Sequence, residues 1–287
     1  METRADRPVV VGVDASDSAR AAAGWAADLA AAWAAPLHLV HAVPDGSPEV
    51  GSAPPAWLVE LTDGARRAGA AASRTEVAAG APADVLAQRA PQAGMLVLGS
   101  YGDGAIAGML AGHVALALAG NVPCPVAVVR GAGPEAPPPR RGPVVAGVDG
   151  SATARAAGLL AADLAARADT ELVLVLAWTE VVDADGRLRR RVDEVGHERE
   201  AGERLAAEAR AVGGAHPGLD VRTELVHDTP LRALLHRAPD ARLLVVGHRG
   251  HRPARGLGLG STSRALVEFA PCPVVVTPPV PDGAGPS

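Results

Sequence analysis

The stretch RPVVVGVDASDSARAA, residues 7–22, decides the fold because the chain contains it twice. It returns as GPVVAGVDGSATARAA at residues 142–157. Each copy joins a short β-branched run to an alanine-rich run, with an aspartate and a serine between them. This is the pattern of a buried β-strand that leads into an α-helix. A segment repeated in this way predicts two related units within one chain.

Three further segments recur in the same order. PLHLVHAV (36–43) returns as ELVLVLAW (171–178), GMLVLGSYGDG (94–104) as RLLVVGHRGHR (242–252), and VPCPVAVV (122–129) as APCPVVVT (270–277). The spacing between copies changes once, after the pair that begins at residue 36, so the second copy holds extra residues there. They fall in a highly charged helical segment at 187–214, which includes HERE at 197–200. We interpret that segment as a solvated surface.

The repeats define the domain organisation. A stretch rich in proline and glycine separates the copies and lacks hydrophobic periodicity, as a linker does. We predict a first domain at 1–130, a linker at 131–142, a second domain at 143–278 and a disordered tail at 279–287.

Alternation of strands and helices sets the fold class. The strand-length runs are almost continuously apolar, as strands covered on both faces are. Between the first two, Trp25, Leu29 and Trp33 recur every four residues and mark one face of a helix. We therefore predict an α/β protein with two tandem Rossmann-like domains. Each would contain a parallel sheet of about five strands flanked by helices.

Charge and composition exclude several functions. The net charge of −5 gives no reason to expect nucleic acid or an anionic membrane as a partner. All 27 basic residues are arginine. The chain therefore has no lysine for a Schiff base, a general base or a phosphate loop.

The expected compartment is the cytoplasm. Two cysteines in a chain of this length indicate reducing surroundings. The apolar run near the start is too short for a signal peptide. The stretch at 21–43 resembles a membrane span, but it carries Asp28 and is interrupted by Pro36, so we interpret it as a helix followed by a strand.

Ligands of open parallel sheets bind beyond the carboxyl ends of the strands. In the second copy the first strand ends at Gly147, and Asp149 follows just before a helix. That aspartate would face a ligand in the crevice. The alternative is that Asp149 serves only as the N-cap of the helix.

The stretch VGHRGHRPARGLGLGSTS, residues 246–263, follows the fourth strand. It is not a Walker loop, since no lysine precedes Ser261, and it is not a dinucleotide fingerprint, since it does not follow the first strand. Three of its glycines, Gly247, Gly250 and Gly260, have two and then nine residues between them. Glycine there permits close backbone approach or a positive φ. A helix is predicted to begin after the last glycine, where N–H groups and hydroxyls would bind an anion. The alternative is a glycine-rich turn with a serine or threonine cap.

This glycine spacing, the aspartate after the first strand and the last strand PCPVVVT together resemble the universal stress protein family, in particular its tandem two-domain, actinobacterial members. The resemblance covers nearly all of both copies. It implies that the glycine loop and the next helix bind the ribose and phosphates of ATP. The aspartate and the end of the second strand would border the adenine. The predicted nucleotide-binding residues are Asp149, Ala177, Gly247, Arg249, Gly250, Gly260, Ser261, Thr262 and Ser263. Gly147 and Asp228 are weaker candidates.

The first copy keeps the glycines but loses the charge. Its weaker second site would comprise Gly12, Asp14, Ala42, Gly99, Gly102, Gly112 and His113. Its loop has Ser100, Tyr101 and Asp103 where the second copy has His248, Arg249, His251, Arg252 and Arg255, and Gly80 stands at the position of Asp228. Replacing several cations by an acid would weaken triphosphate binding by roughly a few kcal/mol. We therefore expect ATP mainly in the second domain.

Motifs for catalysis are lacking, so we assign no catalytic residues and expect slow or no hydrolysis. Mg²⁺ could accompany ATP with Asp149 as the nearest carboxylate, although no dedicated metal site is visible. The leading hypothesis is an ATP-binding regulator of a stress response that acts on an unidentified protein partner. The alternatives are a nucleotide-independent dimerising scaffold and a slow ATP-hydrolysing enzyme. The resemblance also implies pairing of the domains through their last strands. We expect this pairing within the chain, and association of such chains into a homo-oligomer.

Overall fold

A computed structural model describes residues 6–70, 72–101, 112–133, 136–179, 194–250 and 258–280. The strands are β1 Val9–Gly12, β2 Leu37–Val43, β3 Ser73–Ala79, β4 Met95–Gly99, β5 Val126–Val129, β6 Val144–Gly147, β7 Leu172–Trp178, β8 Val221–His227, β9 Leu243–Gly247 and β10 Val274–Thr277. The helices are α1 Asp17–Trp33, α2 Ala56–Arg67, α3 Pro82–Arg89, α4 His113–Leu118, α5 Ala152–Arg167, α6 Glu194–Ala215, α7 Pro230–Arg237 and α8 Ser261–Phe269.

The described strands form one ten-stranded sheet in the order β3-β2-β1-β4-β5-β10-β9-β6-β7-β8. Every pairing within a copy is parallel, which confirms the predicted α/β fold with five strands per copy. The two copies meet where β5 pairs antiparallel with β10, with Ala127 opposite Val275. The last strands therefore pair within one chain, as the resemblance implied.

Two layers of helices cover the sheet, one on each face. Successive residues of each strand face opposite sides, so each strand contributes side chains to both layers. Val9 and Val11 belong to one apolar cluster and Val10 to the other. The first cluster includes side chains of α1, α2, α5 and α6, and the second includes side chains of α3, α4, α7 and α8. Equivalent helices of the two copies thus lie on the same side of the sheet.

Small side chains let α1 lie close to the sheet. Ala22, Ala26 and Ala30 are fully buried, and Trp33 fills the space at the end of the same face. The stretch at 21–43 is divided between α1 and β2, as predicted. None of the described helices is long and apolar enough to cross a bilayer.

Helix α6 is exposed over His197–Glu200, as predicted for a solvated surface, and residues 187–193 of the predicted segment lie outside the described residues. Glu208 on the same helix is an exception that the sequence did not reveal, since only 2% of its side chain is exposed. Arg155 of α5 donates to its Oε1 from Nη2 at 3.1 Å and from Nε at 3.3 Å. This pair joins α5 to α6, and the carboxylate raises the pKa of the guanidinium.

We expect Arg155→Ala to lower the free energy of unfolding by about 2 kcal/mol, because it leaves a buried carboxylate without its cation. Urea unfolding of the full chain measures the change. The matched control is Arg20→Ala at the equivalent position of α1. Arg20 pairs at 3.7 Å with Asp17, whose side chain is 90% exposed, so the control should cost less than about 0.5 kcal/mol. Equal losses would contradict this role for the Arg155–Glu208 pair.

His38 on β2 is a second buried polar residue, with 2% of its surface exposed. Its Nε2 lies 2.9 Å from Glu76 Oε2, and its Nδ1 lies 3.1 Å from Arg74 Nη2. Burial lowers the pKa of His38 below its ordinary value of 6.5, and the charge of Arg74 lowers it further. A neutral ring suits both contacts, since Nδ1 accepts from arginine while Nε2–H donates to glutamate.

The lowered pKa means that the unfolded chain binds a proton at a higher pH than the folded chain does. The contribution of His38 to stability is therefore complete above pH 6.5 and is lost as the pH falls from there through the lowered pKa. We expect His38→Gln, which keeps one donor and one acceptor but does not titrate, to reduce the loss of stability below pH 6.5 by up to about 1 kcal/mol per pH unit. Urea unfolding at pH 7.5 and 5.5 tests this, and parallel profiles would contradict it.

Candidate functional site

The sheet places the relevant strand ends together. In the second copy β6 lies between β7 and β9, and all three are parallel. Their carboxyl ends therefore share one edge, and the chain leaves β6 at the point where neighbouring connections diverge to opposite sides. This is the usual position of a ligand site in an open α/β sheet. In the first copy β1 occupies the same place between β2 and β4.

Asp149 lies at this edge, in contact with the glycine loop. Its Oδ1 accepts a hydrogen bond from Ser151 N at 2.9 Å. Its Oδ2 lies so close to Gly250 that a Cβ on that glycine would be 2.4 Å away. The N-cap of α5 is Ser151, whose hydroxyl accepts from Ala154 N at 3.2 Å. The interpretation of Asp149 as the N-cap is therefore wrong, because its carboxylate holds the residue that caps the helix.

The side chain of Thr153 binds the glycine loop, and the sequence did not predict this contact. Its hydroxyl donates to the carbonyl oxygen of Arg249 at 2.6 Å. A Cβ on Gly247 would lie 3.0 Å from Thr153 Oγ1 and 3.1 Å from its backbone carbon. Gly247 is thus needed for the close approach of α5, and neither it nor Gly250 has a positive φ. The sequence did contain an indication of this contact, because both copies have a hydroxyl residue here: Ser18 of the first copy stands at the position of Thr153.

The first and last parts of the glycine loop are joined by hydrogen bonds. Gly260 N donates to the carbonyl of His248 at 2.8 Å, and the Ser263 hydroxyl donates to the carbonyl of Gly247 at 2.6 Å. Arg249 Nε donates to the carbonyl of Gly258 at 2.8 Å. Ser263 is buried, so its hydroxyl fixes the loop to β9. The loop residues 251–257, with His251, Arg252 and Arg255, lie outside the described residues.

Helix α8 begins at Ser261, as predicted, and Gly260 is its N-cap. The cap has no side chain that could accept from the first turn, and that turn has no acidic residue. Ser261 is exposed and Thr262 half-buried. The helix thus directs peptide N–H groups and the positive end of its dipole towards the crevice, as an anion site does.

His248 points away from this crevice towards the first domain. A Cβ on Gly120 would lie 3.0 Å from His248 Cβ and 3.1 Å from Leu259 Cδ2. Burial lowers the pKa of His248, and the charge of Arg249 lowers it further. Burial therefore favours the neutral ring, and the side chain packs against Gly120 of the other domain instead of the crevice.

A family model described as the universal stress protein family matches residues 7–130 and residues 141–278. The chain belongs to the universal stress protein family. The universal stress protein Rv2005c of Mycobacterium tuberculosis is 34% identical over 295 residues, covering 95% of this chain and 97% of the relative. Rv2623 of the same organism is 31% identical and covers 93% and 95%. A solved universal stress protein from Archaeoglobus fulgidus is 17% identical, covers 94% and 98%, and has a TM-score of 0.62, which is a likeness of fold.

Two residues implied by the family resemblance lie apart from the glycine loop. Ala177 is half-buried near the end of β7 and packs against the second apolar cluster. Asp228 follows the edge strand β8, which β7 separates from β6. Its Oδ1 accepts from Thr229 N at 2.7 Å, and its Oδ2 lies 3.4 Å from Arg232 Nε. The described contacts of this carboxylate therefore lie at the start of α7.

The first domain of this universal stress protein keeps the same backbone arrangement. Gly112 N donates to the carbonyl of Ser100 at 2.6 Å, and Asp14 Oδ1 accepts from Ser16 N at 3.0 Å. Exposed His113 begins the short helix α4. Gly102 and Asp103 lie outside the described residues.

The glycines at the ends of β1 and β6 serve helix packing. A Cβ on Gly12 would lie 2.7 Å from Leu86 Cδ1, and one on Gly147 would lie 2.8 Å from Leu234 Cδ1. Gly12 and Gly147 therefore make room for α3 and α7. Ala42 on β2 is half-buried, as its counterpart on β7 is.

We expect Ser18→Ala to destabilise the chain more than Thr153→Val, because the two hydroxyls have different partners. Ser18 Oγ accepts from Ser100 N at 2.8 Å and from Tyr101 N at 3.3 Å, so its loss leaves buried N–H groups unsatisfied. That change should cost about 2 kcal/mol, whereas Thr153→Val, which removes one donor, should cost about 1 kcal/mol. Urea unfolding measures both, and a larger loss for Thr153→Val would contradict this account.

Proposed function

We propose that this universal stress protein binds ATP mainly through its second domain and acts as a nucleotide-dependent regulator, with slow or no hydrolysis. The observation that carries the proposal is the N-terminus of α8. Its glycine cap leaves the first-turn N–H groups without a side-chain acceptor, beside the Gly247–Gly250 turn and the Asp149 carboxylate. Phosphates are the natural ligands of such a helix end.

The charges at the site indicate the direction in which ATP would lie. The carboxylate of Asp149 repels phosphates but accepts hydrogen bonds from hydroxyl groups, as those of a ribose. The phosphates therefore belong at α8, near Ser261 and Thr262, and the ribose belongs beside Asp149. The half-buried Ala177 would then border the adenine from the end of β7.

The two domains have the same backbone arrangement at this site but present different side chains. The second has Arg249 between its paired glycines, and the first has Tyr101 at that position. Helix α8 extends over nine residues, whereas α4 extends over six and begins with His113. A longer helix and an arginine near the phosphates both favour the second domain.

Slow hydrolysis is expected because the nearby ionisable groups make other contacts. Asp149 accepts from Ser151 N, and His248 packs against Gly120 of the other domain. In the proposed arrangement Asp149 would bind the ribose and His248 would lie outside the crevice, so neither would be beside the phosphates to activate a water molecule. Mg²⁺ would accompany the phosphates, with Asp149 as the nearest carboxylate.

Helix α8 would transmit the bound state to the junction of the domains. Its last carbonyls, those of Val267 and Glu268, accept from Arg130 of the first domain at 2.8 and 2.7 Å. ATP at one end of α8 and Arg130 at the other both favour the same helix dipole. Order in the glycine loop would thus stabilise one arrangement of the surface that a partner reads.

Gly260→Asp tests the proposal without disturbing the fold. Aspartate is a favoured N-cap, and a Cβ at Gly260 has its nearest neighbour at 3.4 Å, so helix α8 should be at least as stable. The new carboxylate would occupy the anion site and repel phosphate. We expect ATP affinity, measured by calorimetry on the full chain, to fall by at least about tenfold.

The matched control is Gly112→Asp, the same change at the N-cap of α4. It should leave the main ATP site unchanged. Equal losses in both variants would contradict the preference for the second domain, and unchanged affinity in both would exclude these helix ends as the phosphate site. Absence of ATP binding by the wild-type protein would favour the scaffold. Phosphate release abolished by Asp149→Ala would favour the enzyme.

A further inference from the structure

A cavity of about 290 Å³ lies at the junction of the two domains. One face of α1, the end of α5, the start of β9 and the linker prolines 137–139 form its walls. Leu243 at the cavity is the first residue of β9, whereas Gly247 of the glycine loop is the last. The two places are thus separated by the length of that strand, roughly 13 Å.

Cations dominate the polar part of this junction cavity. Arg20, Arg140, Arg167 and Arg242 line it together with one acid, Asp28. This is an excess of positive charge on a chain whose net charge is −5. A concave site with charge of one sign attracts ligands of the other sign.

Two of the arginines hold the domains together. Arg140 of the linker pairs with Asp28 at 3.3 Å, and Arg167 of α5 donates to the Ala32 carbonyl at 2.9 Å while it pairs with Asp163. These contacts explain why the linker lies across the cavity. These contacts do not involve the positive charge of Arg20 or of Arg242.

Arg20 and Arg242 have weaker charge partners. Arg20 pairs at 3.7 Å with Asp17, which is 90% exposed, and Arg242 donates to the main-chain carbonyl of Arg140. Water screens the first contact strongly, and the second leaves the positive charge of the guanidinium uncompensated. Both groups can therefore receive an anion at little cost in existing interactions.

The rest of the wall is apolar. Leu29, Leu164 and Leu243 are buried, and half-buried Trp25 adds an indole ring. Guanidinium groups bind carboxylates and sulfonates in a bidentate manner, and an aromatic ring is well placed to pack on the indole and leucines. The volume is at the lower end of the range for small-molecule sites.

We propose that this cavity between α1, α5 and the linker binds a small aromatic carboxylate or sulfonate, with Arg20 pairing with the acid group, Arg242 adding positive charge and Trp25 packing against the ring. The site does not depend on nucleotide binding. It contains residues of both domains and the linker, so a ligand there would stabilise their association.

Gly24 provides a variant that blocks the cavity without changing its charge. Gly24 lies in the middle of α1 and lines the cavity, and a Cβ there would meet no atom within 4 Å. Gly24→Ala should keep the cavity open and raise the melting temperature, because alanine is the better helix former. Gly24→Leu should also fold but place its side chain in the cavity.

The test titrates the full chain with 8-anilinonaphthalene-1-sulfonate and follows its fluorescence. We expect one saturable site per chain in the wild type and in Gly24→Ala, and loss of that site in Gly24→Leu. Arg20→Gln should weaken binding by about tenfold, since one charge-assisted contact is lost. The charge control Arg199→Gln, on the exposed face of α6, should bind as the wild type does.

Two further measurements separate this site from others. N-phenyl-1-naphthylamine, which has the same rings without the acid group, should bind at least about tenfold more weakly. Saturating ATP should not displace the sulfonate. The proposal is overturned if ATP competes, if Arg20→Gln and Arg199→Gln bind equally, if the uncharged probe binds as well, if Gly24→Leu retains the site, or if no saturable site exists.

Discussion

The antiparallel pairing of β5 with β10 is the constraint on which the rest of the molecule depends. Each copy alone would end in an apolar edge strand, and unpaired edges of this kind associate. Joining the two edges, with Ala127 opposite Val275, makes one sheet of two and leaves β3 and β8 as its outer strands. Those outer strands carry Arg74 and Glu76, or Arg222 and Glu224, which protect an exposed edge.

This pairing also brings the second glycine loop close to the junction of the domains, because β9 is the neighbour of β10. His248 and Leu259 consequently contact Gly120, and Arg130 caps the last carbonyls of α8. An anion at the start of α8 and a cation at its end stabilise the helix dipole in the same direction. A ligand in the loop and the packing of the domains would therefore act on one element, and the proposed regulatory function depends on that coupling.

The sequence predicted the strands, the start of α8 and the joining of last strands, because these depend on local pattern and on a family resemblance. β-branched runs mark buried strands in any context, and the Gly260–Ser261 step marks a helix start. The sequence did not predict that Thr153 binds the loop carbonyl, that Glu208 is buried against Arg155, or that His248 turns to the other domain. Each of these depends on how closely two distant elements approach, and spacing along the chain carries no such distance.

The glycine spacing alone does not indicate that a ligand binds. A Cβ on Gly99 would lie 2.5 Å from Ser18 Oγ, and one on Gly247 would lie 3.0 Å from Thr153 Oγ1. These glycines are required by the contact of helix and loop in both copies, whether or not a nucleotide binds. A domain that had lost its ligand would still keep them. The copies differ in the side chains that the shared backbone holds, such as Arg249 against Tyr101, and the proposed difference in nucleotide affinity depends on these residues.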